Sequence, residues 1–78
     1  MSGSTATLAA GQVLDMYFLE TRAKLLEIGA TLDRVDRCAD AGAVRADPRM
    51  VFIQAALRVL ESSVPNRAER IQNLYSKE

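Results

Sequence analysis

QVLDMYFLETRAKLLEIGATLDRVDRCADA, residues 12–41, is the stretch that decides the fold. It contains no proline, and its apolar residues return at helical spacing. Leu14, Phe18, Leu25, Ile28, Leu32 and Val35 fall on one stripe, with Thr21 filling a gap. The steps alternate four and three, a heptad pattern that predicts one helix of about 30 residues and ~45 Å. Asp40 and Gly42 mark its exit. Gly42 suits a left-handed cap, because it has no Cβ to clash in that conformation.

The same stretch carries a second apolar set. Met16, Leu19, Ala23, Leu26 and Ala30 lie roughly 170° around the helix from the first stripe. Two polar strips separate the sets. One holds Glu20, Lys24, Glu27, Thr31 and Arg34; the other holds Asp15, Arg22, Asp33 and Asp36, with Gly29 in its middle. The surface helix of a monomer shows one apolar stripe, because one face meets a core and the other meets water. Two opposite stripes need two covers. The longer, bulkier stripe, Phe18 to Val35, is assigned to the rest of the same chain. The shorter set includes two alanines that permit close helix approach. It is assigned to the same face of a second copy in a two-fold homodimer or higher oligomer. A first helix bent or folded back at Gly29, hiding both faces internally, is the competing arrangement.

Downstream, Asp47-Pro48 restarts the chain. Asp47 can accept from the free N–H groups of a helix start, and Pro48 loses nothing at the first helical position. A second helix is expected from Pro48 to about Ser62, apolar nearly all round and therefore the most buried element. Pro65 prevents its continuation. Asn66 with Glu69 forms a potential capping box for a short third helix to about Ser76, with Ala68, Ile71, Leu74 and Tyr75 on one face. Residues 1–10, small and polar, are read as a flexible N-terminal tail, and 11–78 as a single three-helix domain. The fold class is all-α, one long helix plus two shorter ones, completing a helical bundle as a homodimer.

Size sharpens the case for a partner. A chain of 78 residues buries little more than ~60% of the surface its unfolded form exposes, and usually needs a staple. One cysteine, Cys38, cannot form an internal disulfide, and without histidine a structural zinc site has almost no ligands. No metal and no cofactor is expected, and a second subunit is the staple that remains. Ten basic and ten acidic residues balance, which argues against the basic field that nucleic acid requires. The opening MSGSTATLAAGQ has neither a basic start nor a long apolar run, so no signal peptide or membrane span is expected. An unpaired cysteine fits a reducing compartment, and the chain is read as cytoplasmic.

Candidate chemistry is sparse. Glu20 and Glu27 lie two turns apart, but helical di-metal sites add Glu-x-x-His pairs, and histidine is absent. Glu20–Lys24 and Asp33–Arg37 read instead as surface ion pairs. Gly29 costs about 1 kcal/mol against alanine in mid-helix, so it implies close approach by something. Either a neighbouring helix packs there, or Arg22, Asp33 and Asp36 flank a notch for a small polar ligand at the subunit interface. Cys38 lacks an activating base and reads as a packing residue. Arg45, Arg49, Arg67 and Arg70 form no stacking platform for bases, since aromatics do not interleave with them, and they read as a solvated surface. No residue is assigned a catalytic role.

Met16 to Arg37, MYFLETRAKLLEIGATLDRVDR, resembles the first helix of short bacterial helical proteins with no assigned function. RAERIQNLYS, Arg67 to Ser76, fits the same resemblance, which implies a helical fold and nothing catalytic. One long helix and two short ones is also similar in layout to the all-helical chorismate mutases, which are intertwined dimers. Arg22 and Arg37 could be cast as their site arginines, but the expected spacing of basic residues does not appear here, so the likeness is one of layout. Three functional classes follow: a homo-oligomeric interaction or adaptor module that meets itself or another protein; a polar-ligand-binding protein or enzyme on the Arg22/Asp33/Asp36 strip; and a weak nucleic-acid binder. The first is the default for an amphipathic helical chain without motifs.

Overall fold

The computed structural model describes residues 8–76, so most of the tail expected over 1–10 lies outside the described residues. Three α-helices make up the described chain: α1 (Ala10–Asp36), α2 (Pro48–Glu61) and α3 (Arg67–Ser76). A 3-10 turn, Ala41–Val44, precedes α2, and no strand occurs among the described residues. The fold is all-α, as the periodicity predicts. The chain divides into two units between Cys38 and Ala39.

The first unit is α1. It starts two residues earlier than the spacing predicts, at Ala10, because Gln12 reaches back. Its side-chain Oε1 accepts from the Ala9 N–H at 2.9 Å, satisfying a donor at the helix start. Ala9 has no side-chain acceptor to reciprocate. The helix also ends earlier than expected, at Asp36 rather than near Ala41. Val35 is the last residue of the long apolar stripe. Past it the Cys38 N–H bonds the Val35 carbonyl at 3.1 Å, three residues back, and the tighter bond closes the helix. Gly42 is not a left-handed cap. It lies inside the 3-10 turn, and no described glycine has a positive φ.

The second unit is a helical hairpin. Asp47 caps α2 as predicted, accepting from the Arg49 N–H at 2.8 Å, with Pro48 at the first position. At the far end the Ser62 hydroxyl donates to the Val59 carbonyl at 2.8 Å. Asn66 then adopts φ 64°, the left-handed conformation that reverses the chain into α3. The expected capping box of Asn66 and Glu69 does not form, and the side chains that act at this turn are arginines bound to the end of α2. Arg67 donates from Nε and Nη2 to the Ser62 carbonyl, at 2.9 and 2.7 Å. Arg70 Nη1 reaches the Ser62 hydroxyl and the Val64 carbonyl, both at 3.2 Å. Two cations thus hold the carbonyl-rich end of α2, where the helix dipole favours positive charge.

α2 packs on α3, and the Phe52 and Tyr75 rings meet edge to face at 5.5 Å. That geometry sets the positive edge of one ring against the negative face of the other. Phe52, Ile53, Ala55, Ala56, Leu57 and Val59 are half-buried, as are Ile71 and Leu74. α2 therefore carries the densest run of shielded apolar residues, in line with its all-round apolar character. None of them is fully buried, and the same holds for every described residue.

Candidate functional site

α1 presents its two apolar stripes and two polar strips on one continuous helix. On the shorter stripe Met16, Leu19 and Leu26 are 62%, 76% and 57% exposed. On the longer, Phe18 and Leu25 are also more than half exposed. Ala23 and Ala30 interleave with Leu19 and Leu26, so the shorter stripe is low in relief. Taken by itself a single helix has nothing to fold against, and neither stripe finds cover within its own unit.

Arg22, Asp33 and Asp36 all lie on α1 and are exposed. Asp33 and Asp36 are neighbours, ~4.5 Å apart along the axis, but Arg22 stands ~16 Å before Asp33. One helix therefore does not bring the three together around a small ligand. None of them forms an ion pair or a side-chain hydrogen bond. A Cβ placed on Gly29 would meet no atom within 4 Å, so the glycine faces open space. The opposite strip holds an ordinary ion pair, Lys24 Nζ to Glu20 at 3.3 Å, with both side chains exposed. Asp33 and Arg37 do not form the second pair that their spacing suggests; only the Arg37 N–H bonds the Asp33 carbonyl, at 3.1 Å. Cys38 is exposed, and its thiol donates to the Arg34 carbonyl at 3.4 Å.

In the hairpin, Ala46, Pro48, Val51, Phe52, Ala55 and Leu74 line an open apolar cleft of about 400 Å³. No charged side chain enters its lining. The strongest charge arrangement is Asp47 with Arg49. Beyond the capping bond, Arg49 donates Nε to Oδ1 at 3.0 Å and Nη2 to Oδ2 at 2.8 Å, a two-pronged match of planar groups. The side-chain and backbone hydrogen bonds from Arg49 pull the Asp47 carboxyl down to about 2. This serves the helix start rather than any chemistry. Sequence reasoning found Asp47 but not Arg49, and took Arg67 and Arg70 for plain surface charges. The available signal was an arginine two residues after a capping aspartate, and arginines just past the turn Ser62–Asn66.

Among the described residues no three histidine, cysteine, aspartate or glutamate side chains come together, and no helix is long and apolar enough to cross a membrane. Comparison with protein-family models, with curated proteins and with solved structures returns no match for this chain.

Proposed function

We propose that the protein is a small homo-oligomeric interaction module whose subunits join through the Met16, Leu19, Ala23, Leu26, Ala30 face of α1. The observation that carries this reading is Leu19 at 76% exposure, with Met16 and Leu26 beside it on a continuous helical stripe. Contiguous exposed apolar faces of this kind mark interaction surfaces. A chain this short, with no fully buried residue among those described, also gains its stability most readily by sharing a core. No observation favours the ligand-binding reading of Arg22, Asp33 and Asp36, which stand apart along the helix.

Light scattering across a concentration series tests the proposal directly. The unmutated chain is expected to be a dimer or higher oligomer at micromolar concentration. Leu26→Glu removes two copies of one contact, roughly 3–6 kcal/mol at ~1.5–3 kcal/mol per leucine. The dissociation constant should then rise by about two to four decades. A stable monomer at micromolar concentration before any mutation sinks the reading.

A further inference from the structure

The longer stripe of α1 exceeds in length any element of its own chain that might lie along it. Leu14 to Val35 spans ~32 Å at the helical rise. α2 and α3 lie side by side, with Phe52 on Tyr75, so their lengths do not add. The hairpin's longest element is α2, whose 14 residues reach ~21 Å. Exposure is graded along the stripe. Leu32 and Val35 are half-buried, whereas Leu14, Phe18 and Leu25 are each more than half exposed. The N-terminal half is therefore the part that lacks cover, and the side chains bordering it complement one another at a spacing of seven. Asp15 and Arg22 run along one edge, Tyr17 and Lys24 along the other. Each pair is ~10.5 Å apart along the axis, too far to close within one helix. Asp15 and Arg22 form no ion pair among the described residues.

We propose that the N-terminal half of this stripe packs on the same half of a second copy, antiparallel, about a two-fold axis level with Leu19 and Glu20. The contact lies on the opposite side of α1 from the Leu19/Leu26 face and is independent of it. In this register every stripe position meets a stripe position. Leu14 meets the partner's Leu25, and Phe18 meets the partner's Thr21, a large side chain against a small one. Ile28 meets the partner's Gly11, which continues the stripe by one step and has open space where a Cβ would stand. In antiparallel pairs the flanking positions choose the register, and here both edges agree. Asp15 faces the partner's Arg22, and the Lys24 ammonium faces the ring of the partner's Tyr17, each of them twice. Leu32 and Val35, half-buried without a partner, lie past the start of the partner's helix. The other registers oppose like charges. One heptad toward the C-terminus sets Arg22 on the partner's Arg22 and Lys24 on the partner's Lys24. One heptad toward the N-terminus sets Asp15 on the partner's Asp15, and two heptads toward the C-terminus set it on the partner's Asp36. A parallel pair puts Asp15 beside the partner's Ala10, with no cation to meet it.

A charge-reversal cycle in the Leu26→Glu chain, where the opposite face is disabled, isolates this contact. That chain should still be a dimer by light scattering at about 100 µM. Adding Asp15→Arg or Arg22→Asp should weaken it about 5- to 30-fold at low salt, because each turns two opposite-charge pairs into like pairs. Both together should return the dissociation constant to within about threefold of its starting value. The two positions are exposed helix surface, and far-ultraviolet circular dichroism verifies that α1 persists. A second measurement is independent of charge. Spin labels on Thr31→Cys, in a Cys38→Ser background, should sit ~35 Å apart. A separation of ~25 Å means a one-heptad slip and ~10–12 Å a parallel pair, and either overturns the register. A double variant as weak as the two losses together overturns it as well. A monomeric Leu26→Glu chain overturns the contact and leaves the Leu19/Leu26 reading standing. A Leu26→Glu chain that associates as tightly as the unmutated one, and obeys the charge cycle, supports the contact and sinks that reading instead.

Discussion

Asp47 shows how one side chain makes the start of a helix depend on pH. Its carboxyl is held at about 2, below the ordinary 3.8, by the hydrogen bonds it receives from Arg49. A group whose pKa is lower folded than unfolded stabilises the fold once it is ionised in both states. That contribution is complete above the ordinary carboxylate range and is lost as pH falls from about 4 toward about 2. Asp47→Asn keeps an acceptor for the Arg49 N–H but carries no charge. It should melt below the native protein at pH 7, and the gap in Tm should close by pH 2; a gap that persists there contradicts the assignment. Asn66, at φ 64°, makes a second case at this scale. Asparagine tolerates the left-handed region and alanine does not, so Asn66→Ala should destabilise by about 1 kcal/mol in urea titrations. Asn66→Gly should be neutral or stabilising, and an alanine variant as stable as the glycine one argues against strain at this turn.

At the scale of elements, the α2–α3 hairpin is tied by arginine rather than by apolar volume alone. Half-buried Arg70 bonds both Ser62 and Val64, so Arg70→Ala leaves two acceptors at the turn to water. The expected loss is about 1–2 kcal/mol, and faster amide exchange in α3 than in α1 would localise it. α1 poses the opposite question at Gly29. Within the chain an added methyl meets nothing, so Gly29→Ala should raise the helix propensity of α1 by about 1 kcal/mol. The variant should therefore be more helical at high dilution. Far-ultraviolet circular dichroism at high dilution checks this, and a helicity no higher than that of the unmutated chain contradicts the open space at Gly29.

For the whole molecule, the governing fact is that no described residue is fully buried. A chain of 78 residues has little apolar area to set against its conformational entropy even when well packed. Stability shared with a second copy obeys mass action, so Tm should rise steadily with protein concentration. A Tm constant over a hundredfold range of concentration would mean that each chain is stable alone. Leu26→Glu should lower Tm most at the dilute end of such a series, where association is already limiting.

What the sequence determined by itself was local. The four-and-three spacing over residues 12–41 specifies a long helix because side-chain period and backbone period must agree. Asp47-Pro48 specifies where α2 begins because the orphan N–H groups of a helix start and the missing proline N–H fit one another. The two apolar stripes of α1 were equally plain, since they follow from angle alone. Tertiary structure decided what depends on groups meeting across a turn. It ended α1 at Asp36 instead of Ala41 and placed Gly42 in a 3-10 turn. It also gave the reversal to Asn66 and turned Arg67 and Arg70 from surface charges into ties on Ser62. Periodicity encodes direction around an axis and, with the fixed rise, distance along it, but contact across a turn exists only once the chain is folded.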